Sequence, residues 1–296
     1  MASHGVVAPQ MNHAEVRLAD VRPARGGTLR VRSIGAGPGL VLLHAAMQSA
    51  HSLMVLARLL STRFTVHVPD RRGRGASSGY ADGHGLATEV DDLRAVLDGT
   101  GARYVFGLSA GAVIALETAR VPGVIDALAV YEPPLSYDGV DVTAWVPAFE
   151  RQLARGRTAA ALVSAASGTG SARSWVPDPV RAVVLAPRLR RADVRAARIG
   201  VPGPAALVPT MHYDAITVGQ AAGPLERFAE VTCPVLLLGG AKGTETARET
   251  LDRLALVLPD AGRVTLPGVG HLAADNQGRP GLVAAELDRF FTCPDR

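Results

Sequence analysis

The sequence predicts an α/β fold with a mostly parallel central sheet, flanked by helices and carrying a helical lid. Short apolar runs, such as Leu-Val-Leu-Leu at residues 40–43, are typical of parallel strands buried on both faces. These runs alternate with longer helical patterns, which indicates a parallel sheet with right-handed crossovers. One long segment, residues 135–222, interrupts the alternation. With 296 residues, 48% of them hydrophobic, the chain can bury a sizeable core.

Before residue 135 the sequence predicts a loose tail at residues 1–14 and then alternating strands and helices. Residues 15–22 and 28–34 alternate apolar and polar side chains, as antiparallel strands do. Further strands are expected at 40–43, 64–68, 103–106 and 125–131, and helices at 50–60, 85–98 and 112–119. Residues 35–39, Gly-Ala-Gly-Pro-Gly, are interpreted as a turn, because no Gly-Lys-Ser/Thr follows as in a phosphate-binding loop.

Residues 135–222 are helical in character and are broken by seven prolines, which is typical of an inserted lid. The alternation then resumes with strands at 234–240 and 263–266 and helices at 245–257 and 282–291. The predicted organisation is therefore a core of residues 15–134 and 223–292, with a lid of residues 135–222 between the two parts.

The charge balance gives no indication of a nucleic-acid partner. The net charge is +4, from 31 basic and 27 acidic residues, and nearly all the basic residues are arginine. The densest cluster comprises Arg188, Arg190, Arg191, Arg195 and Arg198. We interpret this cluster as a solvated helix face, and the alternative is a docking patch for an acidic partner such as an acyl carrier.

The cysteines and the apolar segments indicate the compartment of the protein and whether it binds a metal. Cys233 and Cys293 lack the spacing of metal ligands and are expected to be reduced thiols. Residues 1–14 lack the apolar stretch of a signal peptide, and no segment approaches the roughly 20 apolar residues needed to span a bilayer. We therefore expect a cytoplasmic protein without a membrane partner, metal or cofactor.

Residues 107–111 read Gly-Leu-Ser-Ala-Gly, which matches the nucleophile-elbow pattern G-x-S-x-G. A β-rich run precedes this motif and a buried helical pattern follows it, as the motif requires. Small residues at 107, 110 and 111 would let the strand and helix approach closely around a strained serine. This context predicts that Ser109 is a nucleophile.

Four stretches together identify a family resemblance. They are Leu-His-Ala-Ala at 43–46, Asp-Arg-Arg-Gly-Arg-Gly-Ala-Ser at 70–77, the elbow, and Gly-Val-Gly-His at 268–271. In this order they resemble the α/β-hydrolase fold family over residues 15–134 and 223–292. Tyr-Glu-Pro-Pro at 131–134 is also similar to a subset of bacterial members.

The resemblance implies roles for single residues. His271 follows the last strand, where the family places its general base, and His212 in the lid is the alternative. The backbone N–H groups of Ala46 and Ala110 are expected to form the oxyanion hole. The family usually has His-Gly where this chain has His44-Ala45, and His44 is interpreted as a structural residue that bonds loop backbone.

The acid that orients His271 departs from the family pattern. The family places an aspartate shortly after the strand that ends at residues 239–240, but residues 241–245 read Ala-Lys-Gly-Thr-Glu. We favour Glu132, at the end of the strand after the elbow helix, where two prolines fix the backbone. The alternatives are Glu245, an acid from the lid such as Asp214, or a dyad without an acid. Asp70 is expected to hold its own arginine-rich loop.

These roles predict a serine hydrolase that acts on an ester, lactone or thioester of a small-molecule substrate through an acyl-enzyme. A second hypothesis keeps the residues but ends in acyl transfer, cyclisation or elimination. A cofactor-free peroxidase-like activity would use the same residues, and a ligand-binding protein without turnover is the non-enzymatic hypothesis. The sequence specifies neither the substrate nor the oligomeric state.

Overall fold

The computed structural model describes residues 15–169 and 175–292. The predicted tail at residues 1–14 and the thiol of Cys293 lie outside these ranges. The strands are β1 Arg17–Val21, β2 Leu29–Ile34, β3 Gly39–Leu43, β4 Thr65–Pro69, β5 Tyr104–Leu108, β6 Ala127–Tyr131, β7 Val235–Gly240 and β8 Ala261–Leu266. The α-helices are α1 Met54–Leu60, α2 Leu86–Thr100, α3 Ala110–Ala119, α4 Val146–Leu153, α5 Thr158–Gly168, α6 Asp178–Arg198, α7 Pro204–Leu207, α8 Met211–Gln220, α9 Glu245–Val257 and α10 Pro280–Thr292.

The eight strands form one sheet in the order β1-β2-β4-β3-β5-β6-β7-β8. β2 pairs antiparallel with both β1 and β4, and from β4 onward all neighbours are parallel. The central strands are almost fully buried, which explains their continuous apolar sequences. The predicted fold class, a mostly parallel sheet with flanking helices, is confirmed.

Helices cover both faces of the sheet and divide the core into two apolar layers. One layer includes Leu93 of α2, Ile114 of α3 and Leu251 of α9. The other includes Leu56 of α1 and Leu287 of α10. Because each strand alternates its side chains between the two faces, both layers draw on the same strands.

The element boundaries differ from the sequence predictions by a few residues. The predicted helix at 50–60 begins as a 3₁₀ turn at Ala50–Leu53 and becomes α-helical at Met54. α3 starts at Ala110 rather than at residue 112, because the chain turns directly from Ser109 into the helix. β8 begins at Ala261, two residues before the predicted strand.

Between β6 and β7 the chain forms helices α4 to α8. A small apolar cluster joins Phe149 of α4, Ala161 and Ala165 of α5, and Val208. α8 contacts α2 and α3, so this insertion rests on the layer of helices that covers the sheet. Nowhere in the described ranges does a helix combine the length and apolar character needed to cross a membrane.

Candidate active site

Ser109 occupies the sharp turn between β5 and α3. Its backbone has φ 53° and ψ −116°, a conformation that residues other than glycine rarely adopt. A Cβ atom at Gly107 would lie 2.5 Å from the carbonyl oxygen of Gly111, and one at Gly111 would lie 2.6 Å from that of Leu43. The Ser109 N–H donates to the Tyr131 carbonyl at 2.9 Å. The glycines therefore permit the close approach of strand and helix, and the neighbouring strand holds the turn.

Glu132 and His271 are joined by a short hydrogen bond. His271 Nδ1 lies 2.7 Å from Glu132 Oε2, and Glu132 Oε1 accepts from the Gly240 N–H at 2.8 Å. The Glu132 side chain is buried, whereas His271 is partly exposed. Because a carboxylate oxygen only accepts hydrogen bonds, the neutral tautomer that satisfies this bond has its proton on Nδ1 and leaves Nε2 as an acceptor.

Ser109, Glu132 and His271 all line one cavity of about 870 Å³. The walls are mostly apolar and come from the core loops together with α5 and α8 of the insertion. Representative lining residues are Met47, Leu162, Ala165, Met211, Ala215 and Val269. The structure thus brings the predicted nucleophile, base and acid to one apolar site, although the three are separated along the chain.

Two backbone donors at this cavity are free to bind a ligand. Ala46 and Ala110 both line it, and within the ranges the structure describes neither N–H donates to a protein acceptor. Their neighbours differ, since the Ala45 N–H donates to Gln48 Oε1 at 3.0 Å and the Met47 N–H donates to Asp214 Oδ2 at 3.4 Å. Ala110 is also the first residue of α3, where the helix dipole favours negative charge.

Hydrogen bonds from side chains outside the cavity hold the loops that carry these groups. Gln48 Nε2 donates to Asp275 Oδ2 at 2.7 Å, which links the Ala46 loop to the segment after His271. Tyr131 Oη donates to the Gly270 carbonyl at 2.8 Å and so fixes the residue before His271. Burial raises the pKa of Asp275. The site is therefore held by side chains that do not themselves line the cavity.

His44 bonds loop backbone, as predicted. Its Nδ1 lies 3.0 Å from the Ala45 carbonyl and its Nε2 accepts from the Arg71 N–H at 3.2 Å. Burial, together with the charges of Arg74 and Arg71, lowers the pKa of His44 well below its usual range. The ring is therefore neutral, which lets one nitrogen donate and the other accept.

The alternative candidates lie elsewhere. Glu245 is exposed at the first position of α9. His212 pairs with Glu150 Oε1 at 2.8 Å within the insertion. Asp214 lines the cavity, but its carboxylate binds Arg71 and Arg74 rather than His271.

Asp70 holds its own loop through the Ala76 N–H at 3.3 Å. It also accepts from the Ala50 N–H at 2.9 Å and from Arg32 Nη1 at 2.6 Å. The expected role is therefore present, and the same carboxylate additionally ties the loop to two other segments.

Sequence reasoning missed a buried ionic cluster beside the cavity. Arg71 bridges Glu89 of α2, at 2.7 Å, and Asp214 of α8, at 3.0 Å, while Arg74 binds Asp214 at 2.6 Å. Burial alone would raise the pKa of Glu89, but the charge of Arg71 and the bond from His84 hold it well below its usual range. The only sequence signal was the density of arginines at residues 71–74, and it did not identify their partners.

No metal centre accompanies these groups in the part of the chain that the structure describes. There, no three or more histidine, cysteine, aspartate or glutamate side chains are arranged to hold an ion.

Comparison with known proteins gives a family match and several similar solved structures. A sequence profile of the Alpha/beta hydrolase family matches residues 40–286. The crystal structure of an alpha/beta hydrolase from Sphaerobacter thermophilus DSM 20745 is 30% identical, with a TM-score of 0.72, and the alignment covers 93% of this chain and 100% of that one. No curated protein sequence matches the chain.

Two further solved structures are less similar in sequence. A hydrolase from Pseudomonas aeruginosa PA01 is 24% identical, with a TM-score of 0.67 and coverage of 93% of this chain and 98% of that one. The enol-lactonase from Burkholderia xenovorans LB400 is 20% identical, with a TM-score of 0.65 and coverage of 94% and 100%. At these identities the two structures show a common fold and nothing further.

Proposed function

Because the chain belongs to the alpha/beta hydrolase family, we propose that it is a serine hydrolase that cleaves an ester, lactone or thioester through an acyl-enzyme. One observation carries the proposal. His271 Nδ1 is bonded to Glu132 at 2.7 Å, while His271 and Ser109 line the same cavity. A serine hydroxyl is a poor nucleophile by itself and needs such an oriented base.

In the proposed reaction, His271 Nε2 accepts the Ser109 proton while Ser109 Oγ attacks the substrate carbonyl carbon. The imidazolium that forms is stabilised by Glu132 and then protonates the leaving alcohol, enol or thiol. A water molecule that gives its proton to His271 next attacks the acyl-enzyme. The carbonyl–Ser109 bond breaks, the acid is released, and the serine regains its proton.

The Ala46 and Ala110 N–H groups are proposed to bind the oxyanion of the tetrahedral intermediate. Their availability supports this role, because the adjacent N–H groups of Ala45 and Met47 are already bonded to side chains. Loss of one oxyanion donor typically costs about 10²–10³ in kcat.

The apolar walls support a small or medium-sized apolar substrate. We propose that residues 135–222 act as the lid that shapes this pocket, since Leu162 of α5 and Met211 of α8 line it. The carboxylate at Glu132, within Tyr-Glu-Pro-Pro, is the feature that would place the chain in the bacterial subset suggested by its sequence.

The proposal is tested with Ser109→Ala and a fluorophosphonate probe. The wild-type protein should gain one probe adduct, located at Ser109 by peptide mass spectrometry, and should hydrolyse simple aryl esters. Ser109→Ala should lose both properties, whereas Ser61→Ala, at a partly exposed serine after α1, should keep them. Probe labelling and turnover that survive in Ser109→Ala would show that the proposal is wrong.

Heavy-oxygen water separates hydrolysis from the alternatives that use the same residues. Hydrolysis through an acyl-enzyme places one labelled oxygen in the released acid. A product without label, formed at the wild-type rate, would instead indicate acyl transfer, cyclisation or elimination. Failure of the folded wild-type protein to react with the probe would favour a ligand-binding protein without turnover.

A further inference from the structure

α6 is an unusual helix because none of its residues is buried, although it runs from Asp178 to Arg198. Its outward face carries valines that are half to three-quarters exposed. These are Val180 at 52%, Val183 at 73%, Val184 at 50% and Val194 at 55%. A surface helix normally turns such side chains toward the protein.

The same helix carries the arginine cluster identified in the sequence, namely Arg188, Arg190, Arg191, Arg195 and Arg198, and all five side chains are exposed. None of the five has an ion-pair partner among the described residues. The two acids of α6 are engaged elsewhere, since Asp178 pairs with Arg181 and Asp193 accepts from the Ala205 N–H. The positive charge of this surface is therefore uncompensated.

The valines and arginines share one side of the helix. The opposite side of α6 packs against α5. Val180, Val183, Pro187 and Val194 are spaced three, four and seven residues apart, so they form one stripe along the exposed face. Toward the helix C-terminus, Arg191 and Arg198 follow Pro187 by four and eleven residues and so lie within this stripe, while Arg188, Arg190 and Arg195 flank it. Trp175, 94% exposed, precedes the helix. The result is a convex ridge that is apolar in its N-terminal half and mixed apolar and cationic in its C-terminal half.

We propose that this ridge docks on the surface of a membrane leaflet that contains anionic lipids. Valine and tryptophan side chains would enter the boundary between headgroups and acyl chains, while the guanidinium groups pair with lipid phosphates. An anionic leaflet accommodates any convex helix with these two properties, whereas a protein partner would need a matching groove lined with carboxylates. A second copy is disfavoured, because five unpaired arginines would face five others.

This surface is close to the cavity. α5 lies between the two, because it packs against α6 and contributes Leu162, Ala165 and Ala166 to the cavity wall. A docked leaflet would therefore lie behind one wall of the pocket. Binding of a leaflet at this surface does not depend on the chemistry proposed for the cavity.

The first experiment is co-sedimentation with vesicles of phosphatidylcholine, with and without phosphatidylglycerol. Binding should require phosphatidylglycerol and weaken as salt is added, because exposed charges are screened. Changing the five arginines to glutamine should weaken partitioning at least roughly a hundred-fold. Val183→Ser with Val194→Ser should weaken it about ten-fold.

The matched control keeps the same change in net charge but places it elsewhere on the surface. It replaces with glutamine the exposed residues Arg22, Arg58, Arg94, Arg248 and Arg289. This control should retain most of the binding. If it loses binding as strongly as the α6 variant, net charge rather than the ridge is responsible and the proposal is wrong.

A second measurement uses Trp175 as a reporter. The chain has two tryptophans, so Trp145→Phe leaves Trp175 as the sole tryptophan, whose emission is excited separately from that of the tyrosines. Anionic vesicles should shift its emission to the blue, and brominated lipids should quench it. Unchanged emission with bound vesicles would show that the ridge does not face the leaflet. Binding of an acidic acyl-carrier domain, with no vesicle binding, would identify a protein interface and overturn the proposal.

Discussion

Two of the three predicted catalytic residues adopt backbone conformations that side chains other than glycine usually avoid, and Met47, which lines the same cavity, is a further such residue with φ 54°. Ser109 has φ 53° and Glu132 has φ 44°. Each is held by a hydrogen bond from its N–H to the neighbouring strand, to Tyr131 at 2.9 Å and to Leu238 at 3.1 Å. Strain of this kind typically costs about 1–3 kcal/mol per residue and persists where the surrounding structure fixes it. Its presence at both positions agrees with the roles proposed for them.

The orienting role of Glu132 predicts the effect of Glu132→Gln. The amide oxygen can still accept from the Gly240 N–H, so the fold should be retained. The amide nitrogen would then face His271 Nδ1 and favour the tautomer whose Nε2 carries the proton, which cannot accept the Ser109 proton. We expect kcat to fall roughly 10³–10⁴-fold with little change in Tm.

Glu245→Gln is the matched control, because Glu245 is exposed at the start of α9 and should leave kcat unchanged. Steady-state kinetics on one aryl ester compares the variants. A larger loss of kcat in Glu245→Gln than in Glu132→Gln would identify Glu245, rather than Glu132, as the acid that orients His271.

At the scale of strands and helices, the site exists because parallel strands end at one edge of the sheet. The register pairs Leu108 of β5 with Tyr131 of β6, and Tyr131 with Leu238 of β7. Ser109 and Glu132 are the next residues after β5 and β6, and β7 ends at Gly240, which binds Glu132. Sheet register, rather than sequence distance, therefore determines which carboxylate can reach His271.

The contact between β5 and α3 predicts the effect of Gly107→Ala. The new Cβ would lie 2.5 Å from the Gly111 carbonyl oxygen and 2.6 Å from Ala112 Cα, and both are backbone atoms that cannot move independently. We expect a loss of about 1–3 kcal/mol in the free energy of unfolding, together with lower activity. Gly219→Ala, in an open position of α8, should instead stabilise by about 0.5–1 kcal/mol. Chemical denaturation distinguishes the two outcomes, and equal effects would contradict the steric explanation.

The antiparallel part of the sheet predicts an acid sensitivity. His67 of β4 lies 2.8 Å from Ser33 Oγ of β2, and burial, with the nearby charge of Arg17, lowers the pKa of His67 from 6.5 to about 4. The His67 imidazole is therefore protonated below about pH 6.5 in the unfolded chain, but only below about pH 4 in the folded chain. Because this proton binding favours the unfolded state, the free energy of unfolding is highest above pH 6.5 and decreases as the pH falls toward 4.

Relative to pH 7.5, the wild type should lose about 1–2 kcal/mol of stability from this residue by pH 5. His67→Gln has no such group and should lose correspondingly less over the same interval. Denaturant titrations of both proteins at the two pH values provide the measurement. Identical losses would show that His67 is not responsible.

At the scale of the whole molecule, the insertion is tied to the core by charge as well as by apolar packing. Asp214 of α8 accepts from Arg71 and Arg74 of the loop after β4 and from the Met47 N–H beside the proposed oxyanion donor. Arg71 also forms an ion pair with Glu89 of α2. The insertion, the loop that carries Ala46 and Met47, and the helical layer are thus connected through one buried cluster.

Removal of one member of this cluster should be costly. Asp214→Asn leaves Arg71 and Arg74 with one buried anion fewer, and breaking a buried pair typically costs about 3–5 kcal/mol. Asp20→Asn, which removes an exposed pair with Arg30, should cost less than about 1 kcal/mol. The free energies of unfolding test both values. A loss in Asp214→Asn no larger than in Asp20→Asn would show that the cluster does not stabilise the molecule.

The surface of α6 agrees only in part with the sequence-based interpretation of a solvated helix face. The arginine cluster is exposed, in agreement with the interpretation of a solvated face. The tertiary structure adds that Val183 and Val194 lie exposed on the same side, which a solvated face does not require. The proposed leaflet contact therefore departs from the sequence-based expectation of a protein without a membrane partner.

The sequence alone determined the fold class and most element positions, because strands buried on both faces must be apolar along their whole length. It also singled out Ser109, since the elbow needs small residues at fixed spacing, and His271, through its glycine-rich loop. Glu132 was preferred from its position at a strand end, and the roles of all three stay predictions.

Only the tertiary structure decided which groups meet. Glu132 binds His271 across 139 residues, and Asp214 binds Arg71 across 143. Such pairs leave no periodic pattern in the sequence. Their interaction energy depends on burial and distance, and both are set only once the strands have paired in register and the insertion has packed against the core.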